Sequence, residues 1–163
     1  MVLGEKESMK TSLRIYTDGG CSGNPGPGGW AYVIVMETFQ GDKVLAWQYG
    51  AEKDTTNNRM ELSAVIEALR ALKSLDGVSK KVRLLTDSQY VQKGITEWIF
   101  NWKKKSWRTS DRKPVKNQDL WMELDSLASE FSIAWEWVRG HSGVEYNEQC
   151  DRMTQQAIKS IGR

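Results

Sequence analysis

Two short apolar runs separated by a helical stripe constrain this chain more than any other feature. Leu13-Arg14-Ile15-Tyr16-Thr17 alternates as a half-buried strand does, then breaks at Asp18-Gly19-Gly20. Lys81 to Thr86 reads as a strand as well and breaks at Asp87-Ser88. Between them Leu62, Val65, Ile66, Leu69 and Leu72 fall on one helical stripe, which Asp76-Gly77 ends. A strand–helix–strand crossover joins parallel strands. If the two strands are parallel neighbours, both deliver an aspartate at the same edge of the sheet, where ligand crevices form in open α/β folds.

The remaining segments fill in around this unit. Gly23-Asn24-Pro25-Gly26-Pro27-Gly28-Gly29 reads as a turn-forming stretch. Trp30 to Met36 and Val44 to Tyr49 read as second and third strands, and their short connections predict an antiparallel meander. Two or three short helices fill residues 88 to 130, Ile133 to Val138 is a last strand, and Asn147 to Ile158 a last helix. The sum is an α/β domain with a mixed sheet of about five strands flanked by helices. A chain of 163 residues fits one domain, expected over residues 12–163, after a flexible tail at residues 1–11.

Composition narrows the function classes. No run approaches the roughly 18 apolar residues of a membrane span, and the start, MVLGEKESMK, lacks the apolar stretch of a signal peptide. Cys21 and Cys150 make no disulfide framework and, with His141, lack the paired spacing of a zinc site. The expectation is a cytoplasmic protein. The net charge of +2 hides an uneven distribution. Between Trp98 and Lys116 seven cations face Asp111 alone, a net +6, which leaves −4 for the rest of the chain. Such a concentration marks a surface for a polyanion.

Four carboxylates are the candidates for chemistry. If the two strands are neighbours, Asp18 and Asp87 lie close together; like charges so held raise one another's pKa unless a cation neutralises them. A hard divalent ion such as Mg²⁺ suits carboxylate oxygens. Glu61 lies about 100° from Leu62 on the helical wheel, at the edge of the buried stripe, and could lean toward the same crevice. Asp151 stands in the first turns of the last helix. Each also has a plainer reading. An Asp after a strand forms turns, Asn58 and Glu61 have capping-box spacing, and Asp151 favours a helix dipole. Periodicity alone leaves both readings open.

At these residues the chain resembles a known family. Thr17-Asp18-Gly19 with Gly23-Asn24-Pro25-Gly26, then Thr56-Asn57-Asn58-Arg59-Met60-Glu61, then Thr86-Asp87-Ser88-Gln89-Tyr90, and finally Val138-Arg139-Gly140-His141-Ser142-Gly143 with Asn147, Glu148 and Asp151 are similar, in order, to the four motifs of type 1 ribonucleases H. The resemblance runs from about Leu13 to the C-terminus. It implies the ribonuclease H-like fold and cleavage of the RNA strand of an RNA–DNA hybrid, leaving 5′-phosphate and 3′-hydroxyl ends. It also implies that Asp18, Glu61, Asp87 and Asp151 hold two Mg²⁺ ions, with Mn²⁺ able to substitute, about 4 Å apart. By resemblance Asp18 bridges the ions, Asp151 helps hold the one that activates water, and Glu61 and Asp87 hold the one at the leaving oxygen.

The resemblance extends to other residues. His141, the only histidine, matches an active-site histidine of the family, with a role in proton shuttling or product release. Glu148 matches too, but a helix-start carboxylate needs no catalytic explanation. Asn24, Asn58 and Gln89 match positions that contact RNA near the cut, where the 2′-hydroxyl distinguishes RNA from DNA. The segment of about 95–117 resembles the family's basic handle. Within it Trp98 and Trp102 match residues lining the DNA-strand groove, and Lys103, Lys104 and Lys105 can reach phosphates. Thr56 and Asn117 match a pocket for one DNA phosphate. Two residues before Thr56, where many relatives carry arginine, this chain has Asp54.

The expected protein is therefore a monomeric enzyme acting on hybrid duplexes, with no membrane partner. Rival readings are a retroviral-type ribonuclease H, a resolvase, a non-catalytic hybrid-binding module and a sugar-kinase-like ATPase. The handle and the four ordered motifs argue against the first two, the full set of four acids against the third, and the missing phosphate loops against the last.

Overall fold

A computed structural model describes residues 12–140 and 145–161. Residues 1–11 and His141 lie outside the described part, and so do the expectations attached to them.

Five strands form one sheet in the order β3-β2-β1-β4-β5. Strand β1 (Ser12–Cys21) is central, antiparallel to β2 (Gly26–Thr38) and parallel to β4 (Lys81–Thr86). Outside these, β3 (Gly41–Thr55) runs antiparallel to β2, and β5 (Ser132–Trp137) parallel to β4. The meander and the parallel crossover are both as the sequence predicts.

The expected strand limits need correction. Strand β1 does not stop at Asp18; the backbone pairs on to Cys21, with Asp18 opposite Ala31. Gly26 to Gly29 are not turn but the start of β2, and β3 extends well beyond Val44–Tyr49 on both sides. The turn is confined to residues 22–25. Glycine weakens a strand but is kept in one where another backbone comes close, as α5 does at Gly29, and turn statistics cannot see that.

The alternation along β1 sorts the core into two layers. Leu13 and Ile15, with Tyr32, Ile34, Val82 and Leu84, pack against Leu62, Val65, Ile66, Leu69 and Leu72 of α1 (Asn57–Ser74). Tyr16, with Ala31, Val33, Val35 and Leu85, packs against Cys150 and Met153 of α5 (Glu145–Ile161) on the opposite face. Fully burying a large aliphatic side chain of this kind contributes about 1.5–3 kcal/mol. Between β4 and β5 lie α2 (Gln89–Lys93), a π-helical turn (Gly94–Trp98), α3 (Ile99–Lys104) and α4 (Gln118–Ala128). Helix α1 ends at Ser74, and Gly77 follows at φ 72°. Among the described residues no helix is long and apolar enough to cross a membrane.

Candidate active site

The register of β1 on β4 builds the site. Thr17 pairs with Thr86, so the next residue on each strand, Asp18 and Asp87, emerges at the same edge. Helix α1 brings the third acid. Thr56 is its N-cap, accepting the Arg59 N–H at 3.2 Å, so the Asn58–Glu61 capping box does not form. Glu61 instead accepts the Gly19 N–H at 2.5 Å. This approach requires glycine, because a Cβ at position 19 would collide with the backbone of Met60 and Glu61. One oxygen from each of Asp18, Glu61 and Asp87 lies within 4.8 Å of the others.

Asp151, on α5, stands outside that group of three, but its charge acts on Asp18. The Trp137 indole donates to the Asp87 carbonyl at 3.0 Å, and Gly140 lies against the Asp87 carboxylate. The chain leading to His141 thus borders the cluster.

Burial and mutual repulsion make this cluster electrostatically costly. Burial pushes the Asp18 carboxyl up to about 7, with the charges of Asp87 and Asp151 adding, while the Thr154 hydroxyl and the Gly19 N–H pull it down. Burial likewise holds Glu61 well above the usual carboxylate range, aided by Asp87 and Asp18 and opposed by the Gly19 N–H and the Ser88 hydroxyl. The buried Cys150 thiol is pushed up by burial and by the same acids. Its Sγ–H donates to the Tyr16 carbonyl at 3.4 Å, and neither it nor Cys21 is in a disulfide. A convergent set of hard, anionic oxygens short of positive charge fits a hard divalent cation.

A model of the RNase H family matches residues 10–159. A ribonuclease H of Cupriavidus necator is 54% identical over 151 residues, covering 93% of this chain and 98% of that protein. The chain belongs to the ribonuclease H family. A ribonuclease H of Treponema denticola is 51% identical over 160 residues, which are 92% of this chain and 99% of the relative. Among solved ribonucleases H, LC9-RNase H1, described as a type 1 enzyme with the type 2 active-site motif, superposes with a TM-score of 0.81 at 32% identity. That match covers 93% of this chain and 74% of the other. The N-terminal RNase H domain of a Mycobacterium tuberculosis protein gives 0.72 at 27% identity, over 93% and 96% of the two chains.

The remaining candidates lie on the turn before β2, on α1, at the start of α2 and just before α4. Asn24 is exposed on the turn, and its Oδ1 accepts the Asn57 N–H at 3.1 Å. Asn58 is half-buried in the first turn of α1, and Gln89 is exposed at the start of α2, two residues after Asp87. Asn117 adopts a left-handed backbone (φ 61°) just before α4. Its amide donates to the Tyr90 hydroxyl at 3.1 Å and its Oδ1 accepts from Arg59 at 3.3 Å. Arg59 also holds Asp119 at 2.9 Å. Sequence reasoning did not single out Arg59; its place within the second motif was the available signal, but only the fold brings α4 beside it.

The handle tryptophans form one aromatic cluster. Trp102 packs against Trp98, Trp107 and the fully buried Trp121, with ring centroids 6.1, 6.2 and 5.2 Å away. Trp98 remains 38% exposed and so retains a face for a ligand. Lys103 is paired with Asp125 at 3.1 Å, while Lys104 and Lys105 are exposed. Asp54 is exposed near the end of β3, and its charge reaches the Cys21 thiol.

Proposed function

We propose that the chain hydrolyses the RNA strand of RNA–DNA hybrids, leaving 5′-phosphate and 3′-hydroxyl ends, at a site made by Asp18, Glu61, Asp87 and Asp151. The observation that carries this reading is the convergence of Asp18, Glu61 and Asp87 within 4.8 Å, on three separate elements. So much like charge in a buried setting serves little purpose without a cation.

Asp18, Glu61 and Asp87 would hold Mg²⁺, with Asp151 completing the set from α5. Bound there, two such ions would generate the attacking hydroxide and stabilise the leaving oxygen of an in-line displacement. The chain's own groups do the rest. The Gly19 N–H and the N-cap at Thr56 fix Glu61, and the Trp137 indole fixes the backbone of Asp87. Asn24 already spends an oxygen lone pair on Asn57, which orients its NH₂ as the group able to donate to a 2′-hydroxyl. Asn58 and Gln89 flank the acids and complete the reading of ribose. His141, which follows Gly140 in the sequence, would move a proton or release product.

Across the handle, Trp98 and Trp102 would take the DNA strand, with Thr56 and Asn117 holding one of its phosphates. Lys104 and Lys105 supply charge, and Lys103 a smaller share because Asp125 competes for it. Two free cysteines accord with a reducing compartment. Mapping the ends left after incubation of an end-labelled hybrid with Mg²⁺ tests the proposal. Ligatable 5′-phosphates are expected; 5′-hydroxyl or cyclic phosphate ends would overturn it.

A further inference from the structure

Helix α5 carries a second polar group toward the acids besides Asp151. Thr154 lies three residues on, on the same helical face. It is completely buried, among the apolar residues Cys150, Met153 and Ala157 of the same helix. Helix α5 sits directly on the sheet here, since a Cβ at Gly29 would stand 2.8 Å from the Thr154 carbonyl. Gly29 is two residues from Ala31, the partner of Asp18, and side chains two apart share a face of the sheet. Thr154 is therefore buried against the side of the sheet on which Asp18 lies.

That hydroxyl is an anomaly. Among the described residues Thr154 Oγ1 has no hydrogen-bond partner, not even the carbonyl one turn back that helical threonines often use. Leaving a buried hydroxyl unpaired is destabilising. Valine has the same shape and would avoid that cost.

We infer that Thr154 is a positioning residue: its hydroxyl closes onto Asp18 when a divalent cation binds, holding the carboxylate oriented for the ion. The inference rests on the carboxylate reading of the site. It explains why a polar group is kept in an apolar layer.

The test is titration of the whole, substrate-free protein with Mg²⁺ and with Mn²⁺ by calorimetry, alongside thermal melting in chelator. Thr154→Val is expected to bind each ion about tenfold more weakly, the order supplied by one hydrogen bond to a charged group. Its melting temperature in chelator should equal or exceed that of the wild type. Thr154→Ser should restore binding. Wild-type affinity in Thr154→Val, or a lower melting temperature of that variant in chelator with unchanged affinity, would overturn the inference and leave the carboxylate site standing. If the wild-type protein binds neither ion, or Asp18→Asn binds them equally well, the site reading fails and this inference with it.

Discussion

The Gly19 N–H donates to Glu61 Oε1 at 2.5 Å, tying the central strand to the first turns of α1 beside the Asp18 carboxylate. A buried glutamate, a half-buried aspartate and Asp87 are thereby held together although each raises the cost of ionising another. Holding a cation, as proposed, the cluster would trade stability of the free protein for affinity toward that ion.

That trade has a sign. The Asp18 carboxyl is raised from 3.8 to about 7 in the folded protein. Its contribution to stability is full below the unfolded value and is lost as pH rises through about 7. In chelator, Asp18→Asn should melt close to wild type near pH 4. Above pH 7 it should melt a few degrees higher, because a neutral amide escapes the repulsion. Excess Mg²⁺ should erase or reverse the difference by stabilising only the wild type. Melting curves of both proteins across that range check this; a gap independent of pH would refute it.

Strand choice should depend on ribose at the cut. A hybrid whose RNA strand carries 2′-deoxy residues flanking the scissile phosphate should be cut at least tenfold more slowly than the all-ribo strand. The polar side chains of Asn24, Asn58 and Gln89 would lose a 2′-hydroxyl partner. Equal cleavage of both substrates would remove these three residues from the recognition of RNA.

The handle lysines should differ among themselves. Lys104→Ala and Lys105→Ala should each flatten the slope of log K against log salt by roughly 0.7–0.9, the value of one lost phosphate contact. Lys103→Ala should change it less, since Asp125 holds that ammonium at 3.1 Å. Hybrid binding measured from low to high salt separates the three; identical slopes for all would mean that the lysines face away from the duplex.

Asp54→Arg should tighten hybrid binding by about 1 kcal/mol or more at low salt, because a guanidinium bonds phosphate strongly where a carboxylate repels it. Asp54 is exposed, leaving room for the longer side chain. Arg59 is already engaged by Asn117 and Asp119 and cannot take on the task without giving them up. The gain should shrink as salt rises and vanish when the contacted DNA phosphate is a methylphosphonate. Unchanged Kd and KM at low salt would show that Asp54 simply faces water.

Much of this was legible in the residues. Thr17-Asp18 and Thr86-Asp87 end two apolar runs alike, which puts both acids at strand ends; that the two strands are parallel neighbours is given by their register. Glu61 was legible only as one of two options, since a capping box and a lean toward the crevice share a helical position; the choice turned on Thr56 capping α1. Three things depended on contacts distant in sequence. Gly26 to Gly29 read as turn residues, yet they pair in β2, where α5 crosses closely above Gly29. Arg59 gains its meaning only when Asn117 and Asp119 are folded against α1. Thr154 interrupts an apolar stripe on α5, and no periodicity singles it out from an ordinary core threonine.

The most direct measurement uses one hybrid with different labels on its RNA and DNA strands. It is incubated with the wild-type protein and with Asp18→Asn, each with Mg²⁺ and with chelator. The account predicts shortening of the RNA label alone, only with Mg²⁺, and only by the wild type, while Asp18→Asn still binds the hybrid. Cleavage of the DNA strand, cleavage in chelator, or near-normal cutting by folded Asp18→Asn would contradict it.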